Sequence, residues 1–199
     1  LFRYKLLAEK GNYWTDMDLI CWRRFDFQEP YVFSSERHKQ KGAFSSPKIF
    51  KPNIGILKCP AGSPFFRDLY QKCLTTPITK RTSLMDVYRK MITKYDLEKY
   101  VLPPVYFCPI DWWNVNEMFN GYPMNRKLPA KFGVNSPSIN QILNNRRCYG
   151  IHLWGEFIRR RGLLESADED SLWNRLQERQ KWSRKEMVRE KKTLKRNRK

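Results

Sequence analysis

The sequence predicts an α/β protein in which helices flank a mixed central sheet. Short apolar runs bounded by glycine, proline and serine alternate along the chain with longer segments of helical periodicity. Strands that alternate with helices are typical of sheets with parallel pairings. Of the 199 residues, 41% are hydrophobic, which is enough for one domain to bury a core.

The first half of the chain contains the clearest helix signals. Gly11 ends the first helix, and Ser63 followed by Pro64 is a typical helix start. A basic segment with glycine and proline over residues 35–52 predicts a loop. The other elements predicted in this half are helices over residues 2–10, 64–74 and 83–95, and strands over residues 19–22, 31–34 and 53–59.

The second half is less regular. Pro103 and Pro104 interrupt the chain before a predicted strand at residues 105–108. Further on we predict a short helix at residues 111–119, irregular chain over 120–138, a last strand at 147–153 and a helix over 155–161.

Positive charge is concentrated at the end of the chain. The net charge is +19, and residues 176–199 hold eleven Lys or Arg against three Glu. This pattern predicts a solvated basic helix or a disordered tail that is attracted to anionic surfaces, with lipid headgroups favoured over nucleic acid. No run reaches the about 18 apolar residues of a membrane span. The five cysteines lack Cys-x-x-Cys spacing, which argues against zinc and favours a reducing compartment.

Two carboxylates one residue apart are the strongest chemical signal. Asp16 and Asp18 precede an apolar run, and side chains two apart on a strand share a face. We therefore expect both carboxylates on one side and Met17 in the core. Mg²⁺ and Mn²⁺ prefer such oxygen ligands and keep positions open for phosphate.

The neighbours of this pair carry a resemblance to a known family. Arg3, Gly11 and Trp14, followed by Asp16-x-Asp18, resemble the DXD sugar-binding region of GT-A glycosyltransferases, especially the family-32 type of capsular polysaccharide transferases and α-mannosyltransferases. Three later segments extend the resemblance. They are residues 53–57 with the helix start at Ser63-Pro64, residues 102–113, and residues 149–154. After the last of these, Gly155 stands where the family usually has asparagine.

The resemblance implies a metal centre and a catalytic role for the two carboxylates. Asp18 would bind Mn²⁺ or Mg²⁺ directly, while Asp16 would hold the ribose or a metal-bound water. His152 would lie near the metal and the diphosphate. Such an arrangement stabilises the negative charge of a departing diphosphate.

The resemblance also implies contacts to both substrates. Arg3, Trp14 and Asn53, together with Asp16, would bind the sugar donor, with Asn53 on a sugar hydroxyl. On the acceptor side the candidates are aromatic: Trp112, Trp113 and Trp154.

The implied protein is a hexosyltransferase with a GT-A, Rossmann-like fold that retains configuration. Residues 1–175 would form the catalytic domain and 176–199 the tail, and we expect the first strands of the fold to precede Leu1. The partners would be a nucleotide-sugar donor and a glycan or lipid-linked acceptor, in the cytoplasm or at the inner membrane face.

Three other functions compete with this interpretation. A nucleic-acid-binding protein fits the charge and the aromatic content. A metal-dependent nuclease would use the same aspartates, although two-metal nucleases need more carboxylates than the sequence places nearby. A non-catalytic remnant of a glycosyltransferase is the third.

Overall fold

The structure, a computed structural model, describes residues 1–38, 50–79, 83–132 and 134–179. Within these ranges helices and short strands alternate, which confirms the α/β class. The helices are α1 (Phe2–Lys10), α2 (Pro64–Thr75), α3 (Leu84–Lys94), α4 (Ile139–Asn144) and α5 (Gly155–Arg161). The strands are β1 (Asn12–Thr15), β2 (Leu19–Cys21), β3 (Val32–Arg37), β4 (Phe50–Cys59) and β5 (Gly150–His152).

The strands form two small antiparallel sheets rather than the predicted mixed central sheet. β4 lies between β1 and β3 in one sheet, and β2 pairs with β5 in the other. The described residues contain a single parallel pairing, an isolated bridge between Phe33 and Val101. The longest pairing, between β3 and β4, is antiparallel, with Val32 opposite Lys58 and Arg37 opposite Phe50, and antiparallel neighbours do not require the crossover helix of a parallel pair.

Two hydrophobic cores lie on opposite faces of the three-stranded sheet. Side chains along β4 alternate between the two faces of the sheet, so Ile56 packs into one core and Leu57 into the other. The core containing Leu57 is covered by α1, α2 and α3 and is rich in aromatic side chains, with Phe33, Phe65 and Tyr88 fully buried. The other core surrounds the β2–β5 sheet. Because β4 is packed on both faces, its pairing with β1 holds the end of β1 in a fixed position.

Local signals define the helices well. Ser63 accepts a hydrogen bond from the Phe66 N–H at the start of α2, and Gly11 ends α1 with a φ of 62°. The capping box of Ser138 and Gln141, which opens α4, was missed in the sequence. A strand at β1 was also missed.

Other elements correct the sequence prediction. Residues 105–108 are not a strand, because Pro104 begins a 3-10 turn over Pro104–Tyr106. The short helix predicted at 111–119 is a 3-10 helix over Trp112–Met118. The loop predicted at 35–52 is shorter, since β3 extends to Arg37 and β4 begins at Phe50; residues 39–49 lie outside the described residues.

The described part of the predicted tail is short. Residues 172–179 are helical, and Leu172 and Leu176 are buried in the core that surrounds β2 and β5. The Arg179 guanidinium lies 3.8 Å from the ring centroid of Trp22. The rest of the predicted tail, from residue 180 on, lies outside the described residues. Among the helices described, none has the length and apolar content to cross a bilayer.

Candidate metal centre

Asp16 and Asp18 lie in the turn that connects the two sheets. Asp16 follows β1, and its N–H donates to the Gly55 carbonyl at 2.8 Å. Asp18 precedes β2, and its carbonyl accepts from the Leu153 N–H at 2.8 Å. Met17 between them is fully exposed, so the prediction that it enters the core was wrong. The reason is that this residue belongs to a turn rather than to a strand, and the turn holds both carboxylates at the junction of the sheets.

Arg3 and Trp14 converge on Asp16. Both the Trp14 indole N–H, at 2.7 Å, and Arg3 Nη1, at 2.9 Å, contact the same carboxylate oxygen, Oδ1. Arg3 also donates to the Ile54 carbonyl at 2.8 Å, and its guanidinium lies 5.0 Å from the Trp14 ring centroid. Within the described chain no partner is seen for Asp16 Oδ2, which leaves this oxygen available to a cation.

The Asp18 carboxylate is held by the chain that follows β5. The Gly155 N–H donates to Asp18 Oδ2 at 2.7 Å. A Cβ atom at residue 155 would lie only 3.1 Å from that oxygen, so the glycine allows this close approach. Trp154 adopts the left-handed conformation, with φ 58° and ψ 49°, and its indole N–H donates to the Ile110 carbonyl at 2.8 Å. Such a backbone persists only where its surroundings fix it.

His152 completes a group of three potential ligands. One ligand atom from each of Asp16, Asp18 and His152 lies within 4.8 Å of the others. The β2–β5 register produces this proximity, because Leu19 pairs with His152 and so brings residue 18 beside it. His152 Nε2 lies 3.5 Å from Asp18 Oδ1.

The hydrogen bond to the other ring nitrogen assigns the tautomer of His152. The Trp154 N–H donates to Nδ1 at 3.2 Å, so in the neutral ring the proton is on Nε2 and faces Asp18. In this state His152 is a hydrogen-bond donor toward the centre. It becomes a metal ligand through Nε2 only when the proton moves to Nδ1, which breaks the bond from Trp154. The two carboxylates therefore fit a hard cation directly, and the imidazole fits an anionic oxygen beside it.

The remaining predicted site residues, Asn53, Trp112 and Trp113, contact side chains outside this group. Asn53 is buried, and its side-chain amide contacts Ser34 and Cys108. Gly55, two residues further on, lies against His152: a Cβ atom at residue 55 would be 3.1 Å from the His152 ring. Trp112 stacks on Phe157, and Trp113 packs edge-on against Phe132. The structure thus groups Arg3, Trp14, Asp16, Asp18, His152 and Trp154. The backbone N–H groups of residues 154 and 155 are the contacts that sequence reasoning missed.

The pKa of His152 gives a prediction about pH. Burial lowers this pKa below its ordinary value of 6.5, against the opposing effects of Asp18 and Asp16. Below pH 6.5 the unfolded chain therefore takes up a proton that the folded chain does not, and the free energy of unfolding falls as the pH falls through this window. Urea denaturation at pH 7.5 and 5.5 measures the loss. The chain has two histidines, so the NMR titration of His152 is resolvable.

A matched variant isolates this contribution. We expect His152→Gln to lose less stability than the wild type between the two pH values, because glutamine does not titrate. An equal pH dependence in both proteins, or a His152 titration midpoint above 6.5, would contradict the prediction.

Comparison with known proteins supplies no relative for this arrangement. No family model matches the chain, and neither a curated protein nor a solved structure matches it.

Proposed function

We propose that the chain is a divalent-cation-dependent glycosyltransferase that moves a sugar from a nucleotide-sugar donor to a glycan or lipid-linked acceptor, in the cytoplasm or at the inner membrane face. The observation that carries the proposal is the convergence of Asp16, Asp18 and His152 within 4.8 Å, beside the guanidinium of Arg3. Two anionic ligands next to two hydrogen-bond donors match a cation bound to a diphosphate.

Each side chain has a distinct task in this proposal. Asp16 and Asp18 would hold Mn²⁺ or Mg²⁺, and when bound the cation would stabilise the charge that develops on the departing diphosphate. The contacts of Arg3 with Asp16 and Ile54 are both made by Nη1; for its other donor groups no partner is seen within the described residues, and the side chain is partly exposed. The Nε2 proton of His152 provides a second donor for an anionic oxygen. Trp14 orients the Asp16 carboxylate through its indole N–H.

The test combines metal binding with donor turnover. Calorimetric titration of the protein with MnCl₂ should show one saturable site, and a panel of nucleotide sugars should yield at least one donor that is hydrolysed with Mn²⁺ and not with excess EDTA. Saturable Mn²⁺ binding that Asp16→Asn and Asp18→Asn leave unchanged would refute the metal centre. Hydrolysis that continues undiminished in EDTA would refute the cation dependence of the reaction.

A further inference from the structure

A groove of about 650 Å³ lies along residues 122–130, the segment 135–137 and the first turn of α4. Two backbone contacts join its walls. Lys127 pairs with Ser138 in an isolated antiparallel bridge, and the Leu128 N–H donates to the Pro137 carbonyl at 3.3 Å. The volume is within the range of small-molecule sites. The groove shares no lining residue with the candidate metal centre and is therefore a separate cavity.

The lining of this groove carries positive charge and no carboxylate. Arg126 and Lys127 are its charged residues, and both are exposed. Within the described part of the chain, neither of them forms an ion pair. The sequence around them is also free of acidic residues, since positions 118–155 contain five Lys or Arg and no Asp or Glu. Two unpaired cations thus line the groove.

Two carboxylates lie near the lining without belonging to it. Asp111 accepts a hydrogen bond from Ser136, but it is only 2% exposed and its charge is balanced by Arg37 at 3.0 Å. Asp168 lies beside Gly121, where a Cβ atom would be 3.3 Å from its Oδ2. Even if Asp168 is counted in full, the two cations of the lining leave a positive excess. The charge of the groove therefore favours an anionic occupant.

Neutral hydrogen-bonding side chains complete the lining. Asn135 is exposed, and among the described residues no partner is seen for its amide. Gln141 Oε1 accepts the Ser138 N–H at 2.9 Å, which leaves Nε2 as a donor. An amide side chain can donate to and accept from hydroxyl groups. Cations beside neutral amides fit a ligand that carries hydroxyl groups as well as charge, as the sugars of an acidic glycan do.

The same lining fits a lipid or a nucleic acid less well. None of the large hydrophobic residues that are exposed in the described chain belongs to it, so a lipid chain would find little apolar surface to cover. The aromatic ring of the lining, that of Tyr122, packs against the core, and the Arg126 guanidinium lies 5.7 Å from its centroid. Little of this ring is left for a base to stack on.

We propose that the groove binds an acidic glycan whose sugars carry carboxylate groups. Arg126 and Lys127 bind the carboxylates, and the amides of Asn135 and Gln141 bind sugar hydroxyls. A guanidinium can bind a planar carboxylate through two parallel N–H donors. This inference goes beyond the proposed function. Binding in the groove needs neither a cation nor a sugar donor, so failure of one proposal leaves the other standing.

Calorimetric titration of the full chain with four probes tests the proposal. The probes are trigalacturonate, its fully methyl-esterified form, an aspartate tripeptide with blocked ends and a thymidine tetranucleotide; all except the ester carry three negative charges. Roughly 150 mM salt screens the long-range attraction of the net charge of +19. Trigalacturonate should bind at least ~10-fold more tightly than each other probe, since it alone combines carboxylates with sugar hydroxyls.

Two substitutions in the lining locate the binding. Arg126→Gln removes a cation, and Gln141→Glu adds a carboxylate while the side chain still accepts the Ser138 N–H of the capping box. Each should weaken trigalacturonate binding at least ~10-fold and change the affinity for the methyl ester little. Because both residues are exposed, neither substitution removes core packing.

Arg146 provides the matched control. It is exposed, belongs to the same acid-free stretch and is absent from the lining, so Arg146→Gln should bind trigalacturonate like the wild type. Equal losses in Arg126→Gln and Arg146→Gln would assign the binding to net charge and overturn the inference. Binding that neither Arg126→Gln nor Gln141→Glu changes would place the glycan outside the groove. Equal affinity for the tripeptide or the tetranucleotide would refute recognition of the sugars.

Discussion

Replacing Asp18 with asparagine should weaken Mn²⁺ binding and lower donor hydrolysis by roughly 10²–10³-fold, the size of the rate loss seen when one group that stabilises transition-state charge is removed. The substitution removes one of the two anionic ligands, and a hard cation binds a neutral amide oxygen less strongly than a carboxylate. The fold should persist, because an asparagine oxygen can still accept the Gly155 N–H that now contacts Asp18 Oδ2.

Calorimetry with MnCl₂ and a hydrolysis assay measure the two losses, and urea denaturation checks that the fold is intact. Asp96→Asn is the matched control, since Asp96 is an exposed carboxylate after α3 whose φ of 53° asparagine tolerates. An Asp18→Asn protein that is folded and binds Mn²⁺ like the control would exclude Asp18 from the metal centre.

The elements predicted correctly are those whose signals are local in the chain. Helix ends are marked by residues that act on the backbone next to them. Gly11 adopts a positive φ at the end of α1, the Ser63 side chain accepts a backbone N–H at the start of α2, and Pro64 lacks an N–H that would have no partner there. These effects do not depend on the rest of the fold. The strand partners depend on distant residues. β1 pairs with the far end of β4, where Asn12 lies opposite Cys59, and nothing near Asn12 in the sequence indicates that partner.

The candidate site likewise contains contacts between neighbours in the sequence, which can be predicted, and contacts between distant residues, which cannot. Trp14 and Asp16 are two residues apart, and their hydrogen bond belongs to a motif that the sequence displays. The contact from Gly155 to Asp18 spans 137 positions and is made by a backbone N–H, which no residue type identifies. For this reason the sequence shows at residue 155 only a glycine in place of the usual asparagine. The structure shows that it brings a donor against the carboxylate.

The second large effect is expected at a buried ion pair away from the candidate metal centre. Arg37 Nε lies 3.0 Å from Asp111 Oδ1, and Asp111 is only 2% exposed. Ser136 donates to the other Asp111 oxygen at 3.0 Å, and Arg37 donates to the Pro109 carbonyl at 2.9 Å. This network attaches the end of β3 to the chain on both sides of the 3-10 helix over Trp112–Met118.

Arg37→Met should reduce the free energy of unfolding by about 3–5 kcal/mol, because it leaves the Asp111 carboxylate buried without its cation. The double variant Arg37→Met, Asp111→Asn should recover most of the loss, since the neutral amide can still accept from Ser136. Arg67→Met is the matched control. The Arg67–Asp68 pair is exposed, so its loss should cost at most about 1 kcal/mol.

The pH dependence distinguishes a buried charge from lost packing. Burial raises the pKa of Asp111, while Arg37 and Ser136 oppose the increase. Without Arg37 the pKa of the folded protein should rise further, so the folded variant takes up a proton at a pH where the unfolded chain, with an ordinary pKa of about 3.9, does not. The stability of Arg37→Met relative to the wild type should therefore improve as the pH falls from 7 to 5. A deficit that stays constant over this range, and that Asp111→Asn does not reduce, would assign the loss to packing of the arginine side chain instead of to the unpaired carboxylate.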